Sequence, residues 1–248
     1  MERTDANIYD ILLEFWEASI HNILYAQKMY PDSLYEKRLR YGVYIYQCRH
    51  PDVNTYIRKV LIQTRPLLEL GLVQKLVYAV SINHETPPYH QISFDCLLKS
   101  GSSVVNDDSS GDTGYSMDVM RDLEEQFRNT LISIMNMPSP SQSISETDVW
   151  SLMVLTDNTD DVVNGDYDTS NKRTDVLQSA LNSGNWTIQN DLLIENRSSA
   201  STNVHMDIAA ERGQSEGNEK EAGIGKGKMV LRRFQNEIIG MSVNLINF

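Results

Sequence analysis

The amino-acid sequence predicts an α+β domain in which three helices pack on one face of a mainly antiparallel sheet. Three segments carry apolar residues at the three- and four-residue steps of an amphipathic helix, namely 5–30, 51–70 and about 117–137. The segments between and after them, beginning with 41–47, are rich in β-branched and aromatic residues, which is typical of strands. Helices and strands do not alternate regularly, so a parallel doubly wound sheet is not expected.

Proline, histidine and glycine mark the ends of the predicted helices. Pro31 is expected to end the first helix, because the residue before a proline disfavours helical geometry. Pro51 suits the first turn of the second helix, and His50 just before it is expected to bond the helix backbone. Gly71 closes this helix, and Pro138 stops the third.

The predicted strands lie in the middle and at the end of the sequence. A hairpin is expected from 73–82 and 89–95. Residues 148–156 are apolar on both sides of the strand, which predicts a strand inside the sheet rather than at its rim. Apolar and β-branched residues return in two runs at the end, 228–234 and 238–248, which predict two more strands.

The chain is predicted to form a single domain over residues 1–248 with its core in 5–156. Three polar segments, 100–115, 157–183 and 196–227, contain few apolar residues and are interpreted as mobile loops. Strands that follow such a long polar stretch are expected to have a docking place on the sheet.

Charge and hydropathy narrow the class of partner. The formal net charge is −12, and residues 1–70 hold nine Lys/Arg and nine Asp/Glu, so the acidic excess lies beyond them. This distribution argues against a protein that binds along nucleic acid, and the cations Lys37, Arg38 and Arg40 are interpreted as a solvated face. No apolar run approaches the ~20 residues of a membrane helix, and the acidic N-terminus is unlike a signal peptide. We therefore expect a soluble, intracellular protein without a membrane partner.

No pattern indicates a catalytic, cofactor or metal site. His84 and His90 flank the predicted hairpin turn and are expected to be exposed polar residues. The run GIGKGK (223–228) lacks the frame of a phosphate-binding loop. Cys48 and Cys96 are expected to be buried, reduced thiols. We predict a binding protein that uses no cofactor and no metal, rather than an enzyme.

Residues 20–69 resemble a known family. The segment IHNILYAQKMYPDSLYEKRLRYGV (20–43) is similar to the first helix and the following segment of HORMA domains, and 73–82 resembles their central strand. HPDVNTYIRKVLIQTRPLLE (50–69), with its His-Pro, Asn-x-Tyr-Ile and Pro-Leu-Leu steps, is similar to the second helix of the branch formed by accessory subunits of DNA polymerase zeta. The resemblance implies a HORMA domain of that branch.

The resemblance also implies how a partner is bound. In HORMA domains the C-terminal strands form a safety belt that closes over a short partner peptide, which adds to a sheet edge. The belt here would run from about 184 to 248. Tyr56 and Trp186 match positions that contact the peptide, and Arg128 matches an arginine at a HORMA–HORMA contact. Core packing remains the alternative for Tyr56, and a solvated helix face remains the alternative for Arg128.

A pathway follows from the same resemblance. We expect a non-catalytic adaptor in the nucleus, bound to a peptide motif of the polymerase zeta catalytic subunit, with a second translesion polymerase and a second HORMA domain as further partners. Direct contact with nucleic acid is doubtful. The alternative is a spindle-checkpoint or meiotic HORMA protein that binds a different closure peptide, and the run LRRF (231–234) is similar to the checkpoint branch.

Overall fold

A computed structural model describes residues 7–82, 87–98, 117–138, 144–145, 147–156 and 227–247. The helices are α1 (Ile8–Ala26), α2 (Pro51–Glu69) and α3 (Met117–Met135). The strands are β1 (Tyr35–Arg40), β2 (Val43–Cys48), β3 (Val73–Ser81), β4 (His90–Leu98), β5 (Val149–Thr156), β6 (Gly227–Gln235) and β7 (Ile239–Asn247). Three helices and antiparallel strands give the predicted α+β class.

The main sheet has five strands in the order β5-β3-β4-β7-β6, and every pair of neighbours is antiparallel. Both predicted C-terminal strands are confirmed, and β7 docks on β4. In the described part of the chain β5 lies at the rim of this sheet, so the prediction that it lies inside the sheet is wrong. Apolar residues on both sides of a strand report the burial of its two faces, and they carry no information about its two edges.

The first helix ends earlier than predicted. It stops at Ala26, whereas Pro31 was expected to end it. Lys28 adopts a left-handed conformation with φ 59°, and the N–H groups of Lys28 and Met29 each bond back to a carbonyl of the last helical turn at 3.0 Å. These two bonds and the left-handed residue form a Schellman motif, so the backbone ends the helix before the proline is reached.

Both ends of α2 follow the prediction. The His50 Nδ1 atom accepts a hydrogen bond from the Asp52 N–H at 3.3 Å, and Pro51 occupies the first turn. Gly71 ends the helix with φ +66°, and a Cβ atom there would meet nothing within 4 Å. The glycine is therefore required for its backbone conformation and not for close packing.

A separate two-stranded ribbon is formed by β1 and β2. Its turn consists of Tyr41 and Gly42, whose φ angles of 48° and 71° are those of a type I′ turn. Tyr41 thus belongs to the turn, although residues 41–47 were predicted as one strand. The sequence did not predict β1, because most residues of YEKRLR are charged and the segment lacks a strand-like apolar pattern.

The core is built around α1, which packs against α2, α3 and β2 and is buried on more than one side. Phe15 of α1 stacks on Phe127 of α3 with ring centroids 4.0 Å apart, and Phe127 meets Phe234 of β6 edge to face at 6.1 Å. Burying each such ring contributes about 1.5–3 kcal/mol to the free energy of unfolding. The contacts between these rings hold α1, α3 and the C-terminal hairpin together. Cys48 and Cys96 are buried free thiols, as predicted.

Candidate functional site

The open edge of β5 is the first feature of the candidate site. Leu152 of β5 lies opposite Tyr78 of β3, and the described residues place no strand on the other side of β5. The Leu152 N–H points away from β3, because it donates a hydrogen bond to the Tyr56 hydroxyl at 3.0 Å. Main-chain groups of alternate strand residues point to the same edge. The open edge therefore also carries the main-chain groups of Trp150 and Val154.

The sequence of β5 itself carries none of the usual features that block the addition of another strand. Proteins commonly blunt exposed edges with charged residues, prolines or bulges. The β5 segment VWSLMVLT contains no charged residue and no proline. The strand at the other rim of the described sheet, β6, carries Lys228, Arg232 and Arg233, and its register shifts between Val230 and Arg232. Of these two edges, β5 is the one suited to accept a strand.

An aromatic cluster lies beside the open edge and consists of Tyr30, Tyr56, Tyr78 and Trp150. The Trp150 ring meets Tyr56 edge to face at 5.2 Å and stacks on Tyr78 at 5.9 Å. Its indole Nε1–H donates to the Tyr30 hydroxyl at 2.8 Å. Tyr78 is fully buried, whereas Tyr56 is 36% exposed. The cluster is therefore packed into the core through Tyr78, and it presents the Tyr56 ring at the surface in a fixed orientation. A rigid, partly exposed aromatic ring is suited to contact a partner.

The Tyr56 hydroxyl is protonated at neutral pH. Burial raises the pKa of Tyr56 above its ordinary value, and the hydrogen bond from the Leu152 N–H partly opposes this rise. A neutral hydroxyl can accept a bond from an N–H group and still donate its own hydrogen. In this position it resembles a carbonyl oxygen that faces the strand edge.

Polar side chains hold β7 against β4, on the opposite side of β3 from β5. His90 Nδ1–H donates to Asn247 Oδ1 at 2.7 Å, and the Gln27 side-chain amide donates to His90 Nε2. We call these three residues the His90 network. On the other face of the sheet, Asn244 Nδ2 donates to Asp95 Oδ2 at 2.9 Å. These contacts specify the register in which the last strand docks, since each requires its own partner opposite.

The prediction that His90 is exposed is wrong. His90 opens β4 and is completely buried, with both ring nitrogens hydrogen-bonded in the His90 network. Burial lowers its pKa, and the hydrogen bond to Asn247 opposes that effect. The ring is therefore neutral and serves as a structural bridge between α1 and β7. The other histidine of this prediction, His84, lies outside the described residues.

Two sequence comparisons place the chain among known proteins. Over 111 residues it is 34% identical to "Mitotic spindle assembly checkpoint protein MAD2B" of Homo sapiens, an alignment that covers 43% of this chain and 52% of that protein. Over 147 residues it is 28% identical to "DNA polymerase zeta processivity subunit" of Schizosaccharomyces pombe, covering 58% of this chain and 67% of that protein. The chain thus spans about half the length of the MAD2B relatives that it matches. No protein-family model matches the chain.

Similarity to solved structures extends over almost the whole chain. A chain of the "Crystal Structure of Mitotic Checkpoint Complex" superimposes with a TM-score of 0.59 at 14% sequence identity, covering 97% of this chain and 98% of that one. The structure "C. elegans HTP-2 bound to HTP-3 closure motif 1" gives a TM-score of 0.55 at 7% identity, covering 96% and 85%. Both are HORMA-domain structures. The chain has the fold of a HORMA domain.

Within the HORMA fold, the structure positions two of the three predicted site residues. Tyr56 lies at the open edge of β5, which is compatible with the predicted peptide contact. Arg128 lies on an exposed face of α3, and its Nε–H donates to the Tyr41 carbonyl at 2.9 Å. A Cβ atom on Gly42 would approach Arg128 Nη2 to 2.8 Å, so the guanidinium lies directly against the ribbon turn. Trp186 lies outside the described residues.

The sequence did not predict Trp150 and Tyr30 as site residues. Trp150 was assigned only to a strand inside the sheet, and Tyr30 only to the end of the predicted first helix and to the HORMA resemblance of 20–43. The lack of charge and proline in 149–156 is a signal for a strand-accepting edge, but only once the strand is known to lie at the rim. Position in the sheet depends on pairing between distant segments, which periodicity does not report.

The described residues also bear on metal binding and on membrane crossing. They contain no group of three or more His, Cys, Asp or Glu side chains that could hold a metal ion. Among the helices that the structure describes, none is long and apolar enough to cross a membrane.

Proposed function

We propose that this HORMA domain is a non-catalytic adaptor subunit of the translesion DNA polymerase zeta in the nucleus. It holds a peptide of the catalytic subunit on the open edge of β5, closes its C-terminal safety belt over that peptide, and bridges to a second translesion polymerase. The uncharged open edge beside the aromatic cluster carries the proposal. The similarity to proteins named as polymerase zeta processivity subunits supports the pathway.

Binding by strand addition explains why an edge and an aromatic cluster occur together. Main-chain groups of an extended peptide bond to those of Trp150, Leu152 and Val154, which supplies affinity without regard to sequence. Contacts with side chains beside the edge then select the sequence of the peptide. The exposed ring of Tyr56, held by Trp150, is placed to contact the first of these side chains.

The C-terminal hairpin supports a closing belt. β6 and β7 belong to the predicted belt of about 184–248, and the contacts at His90 and Asn244 hold its final strand to β4. We propose that, with β7 held at β4, the rest of the predicted belt closes over a peptide bound at β5. Enclosure of this kind lowers the dissociation rate more than it raises the association rate.

The proposal is tested by capture of the polymerase zeta catalytic subunit on the immobilised chain. Wild type is compared with Tyr56→Ala and Trp186→Ala, and Tyr44→Ala serves as the matched control, since Tyr44 is 65% exposed on the β1–β2 ribbon. We expect wild type and the control to capture the subunit. Loss of an aromatic anchor weakens the free energy of binding by about 2 kcal/mol or more. Tyr56→Ala and Trp186→Ala should therefore each bind the subunit roughly 30-fold more weakly than wild type.

Failure of the folded wild-type chain to capture the catalytic subunit would overturn the assigned pathway. Equal capture by all four proteins would keep the partner but reject the β5 edge and the belt as its site. Circular dichroism of each variant ensures that weak capture reflects binding rather than unfolding.

The second candidate is a checkpoint adaptor that binds a different closure peptide at the same edge. Similarity to MAD2B, and 30% identity over 95 residues to "Mitotic spindle checkpoint component MAD2" of Saccharomyces cerevisiae, favour it. A competition experiment with peptides from checkpoint proteins and from the polymerase catalytic subunit separates the two, because one edge holds one peptide. Preferential retention of checkpoint peptides would select the second candidate.

A further inference from the structure

The hydrogen bond between Leu152 and Tyr56 is unusual for a strand edge. The Leu152 N–H is satisfied by a side chain from α2 and not by another strand. Leu152 lies between Trp150 and Val154, whose main-chain groups face the same edge. An incoming strand that paired along this edge would place a carbonyl oxygen where the Tyr56 oxygen lies. The hydroxyl thus occupies a central hydrogen-bonding position of the candidate site.

The position of the Tyr56 hydroxyl is maintained by contacts on its own side of the edge. The ring meets Trp150 at 5.2 Å with an interplanar angle of 75°, and Trp150 is itself fixed by Tyr30 and Tyr78. The adjacent α2 residue Ile57 is fully buried and fixes the helix beneath. Tyr56 keeps 36% of its surface exposed, so the side chain has room to turn outward.

We propose that the Tyr56 hydroxyl is a place-holder for a main-chain carbonyl of the bound peptide. In the free protein it satisfies the Leu152 N–H, and it turns away when an extended peptide pairs with β5. The inference rests on the proposed function, and it adds that one residue acts in two opposite directions. The ring contributes to peptide binding, whereas the hydroxyl competes with the peptide. It also shields an otherwise unprotected edge from non-specific strand addition.

The substitution Tyr56→Phe separates the two roles, because it keeps the ring and removes the competing oxygen. One hydrogen bond between neutral groups contributes a net free energy that corresponds to roughly two- to tenfold in affinity. We therefore expect Tyr56→Phe to bind the peptide roughly two- to tenfold more tightly than wild type, while Tyr56→Ala binds more weakly. The probe is the tightest binder from a set of overlapping synthetic peptides that tile the polymerase zeta catalytic subunit. Tyr44→Phe is the matched control and should leave affinity unchanged.

Amide hydrogen exchange of the free protein tests the contact without any peptide. The Leu152 amide should exchange faster in Tyr56→Phe than in wild type, and it should be unchanged in Tyr44→Phe. Unchanged exchange at Leu152, or equal or weaker peptide binding by a folded Tyr56→Phe, would overturn the place-holder and leave the proposed function intact. Absence of binding to any tile by wild type would overturn both, so the two failures are distinguishable.

Discussion

Two buried histidines, His21 and His90, are neutral in the folded protein. His21 of α1 is buried, and its Nδ1 atom accepts the Cys48 N–H of β2 at 3.4 Å. Burial and the nearby Arg58 lower the pKa of His21 to about 4. His90 is likewise buried, and burial lowers its pKa. Both rings act as hydrogen-bonding groups of the fold, and charging either of them opposes folding.

The folded state should therefore lose stability as the pH falls. An unfolded chain protonates His21 near pH 6.5, whereas the folded chain does so only near pH 4. The unfolded state thus binds the extra proton first, and stability present above pH 6.5 is lost progressively towards pH 4. The difference between the unfolded and folded pKa of His21 corresponds to about 3 kcal/mol of unfolding free energy. The lowered pKa of His90 changes the stability in the same direction.

Chemical denaturation at a series of pH values measures this loss. The pH range between 6.5 and about 5 is the most informative, because few carboxylates titrate there. His50→Asn is the control, since His50 is an exposed helix cap and asparagine is also a good cap. This variant should show the same fall as wild type, and His21→Leu should show a smaller one. A wild-type unfolding free energy that stays constant over this range would contradict the assignment.

Among the secondary-structure elements, β7 depends on side-chain contacts as well as on its main-chain pairing. Asn247 accepts the hydrogen bond of the buried His90 Nδ1–H at 2.7 Å. Asn247→Ala leaves that N–H without its partner, which costs about 1–3 kcal/mol. The loss falls on the β4–β7 pairing, so amides of β6 and β7 should exchange roughly tenfold faster or more. Lys228→Ala on the exposed side of β6 is the control.

Hydrogen exchange resolved along the chain distinguishes a local from a general effect. Amides of α2 should keep their wild-type protection in Asn247→Ala, because no residue of α2 belongs to the His90 network. Equal acceleration in every element would indicate loss of the whole fold and would contradict a local role for the His90 network. Unchanged exchange in β7 would mean that main-chain pairing alone holds the strand.

The same elements explain how much the sequence predicts. All three helices, the hairpin of β3 and β4, and the two C-terminal strands follow from periodicity and from Gly, Pro and cap signals, because these patterns are local. The placement of β5 at the rim and the burial of His90 depend on pairing between distant segments. Tyr56 as a site residue came from a resemblance, whereas its contact with Leu152 requires the sheet to bring α2 and β5 together.

On the scale of the whole molecule, the sheet keeps the β5 edge apart from the C-terminal hairpin of β6 and β7. Among the described strands β5 lies at one rim and is uncharged, whereas the hairpin that holds the C-terminal strand lies on the far side of β3 and β4. A partner strand can therefore add to β5 while β7 stays paired with β4. The ribbon of β1 and β2, together with α3, lies outside the pairing of this sheet and presents a surface separate from the β5 edge.

Arg128 on α3 is predicted to serve that second surface through a contact between two HORMA domains. Its Nε–H is used by the Tyr41 carbonyl, while the residue as a whole is exposed and its Nη2 atom lies beside Gly42. A charged hydrogen bond across the contact contributes about 1.5–3 kcal/mol. We therefore expect Arg128→Ala to weaken self-association by roughly tenfold or more, measured by sedimentation over a range of concentrations. Arg121→Ala, an exposed arginine of the same helix paired with Asp118, should associate like wild type. If wild type and a folded Arg128→Ala associate equally, the prediction is wrong. Arg128 would then serve only its own fold, through the hydrogen bond to the Tyr41 carbonyl.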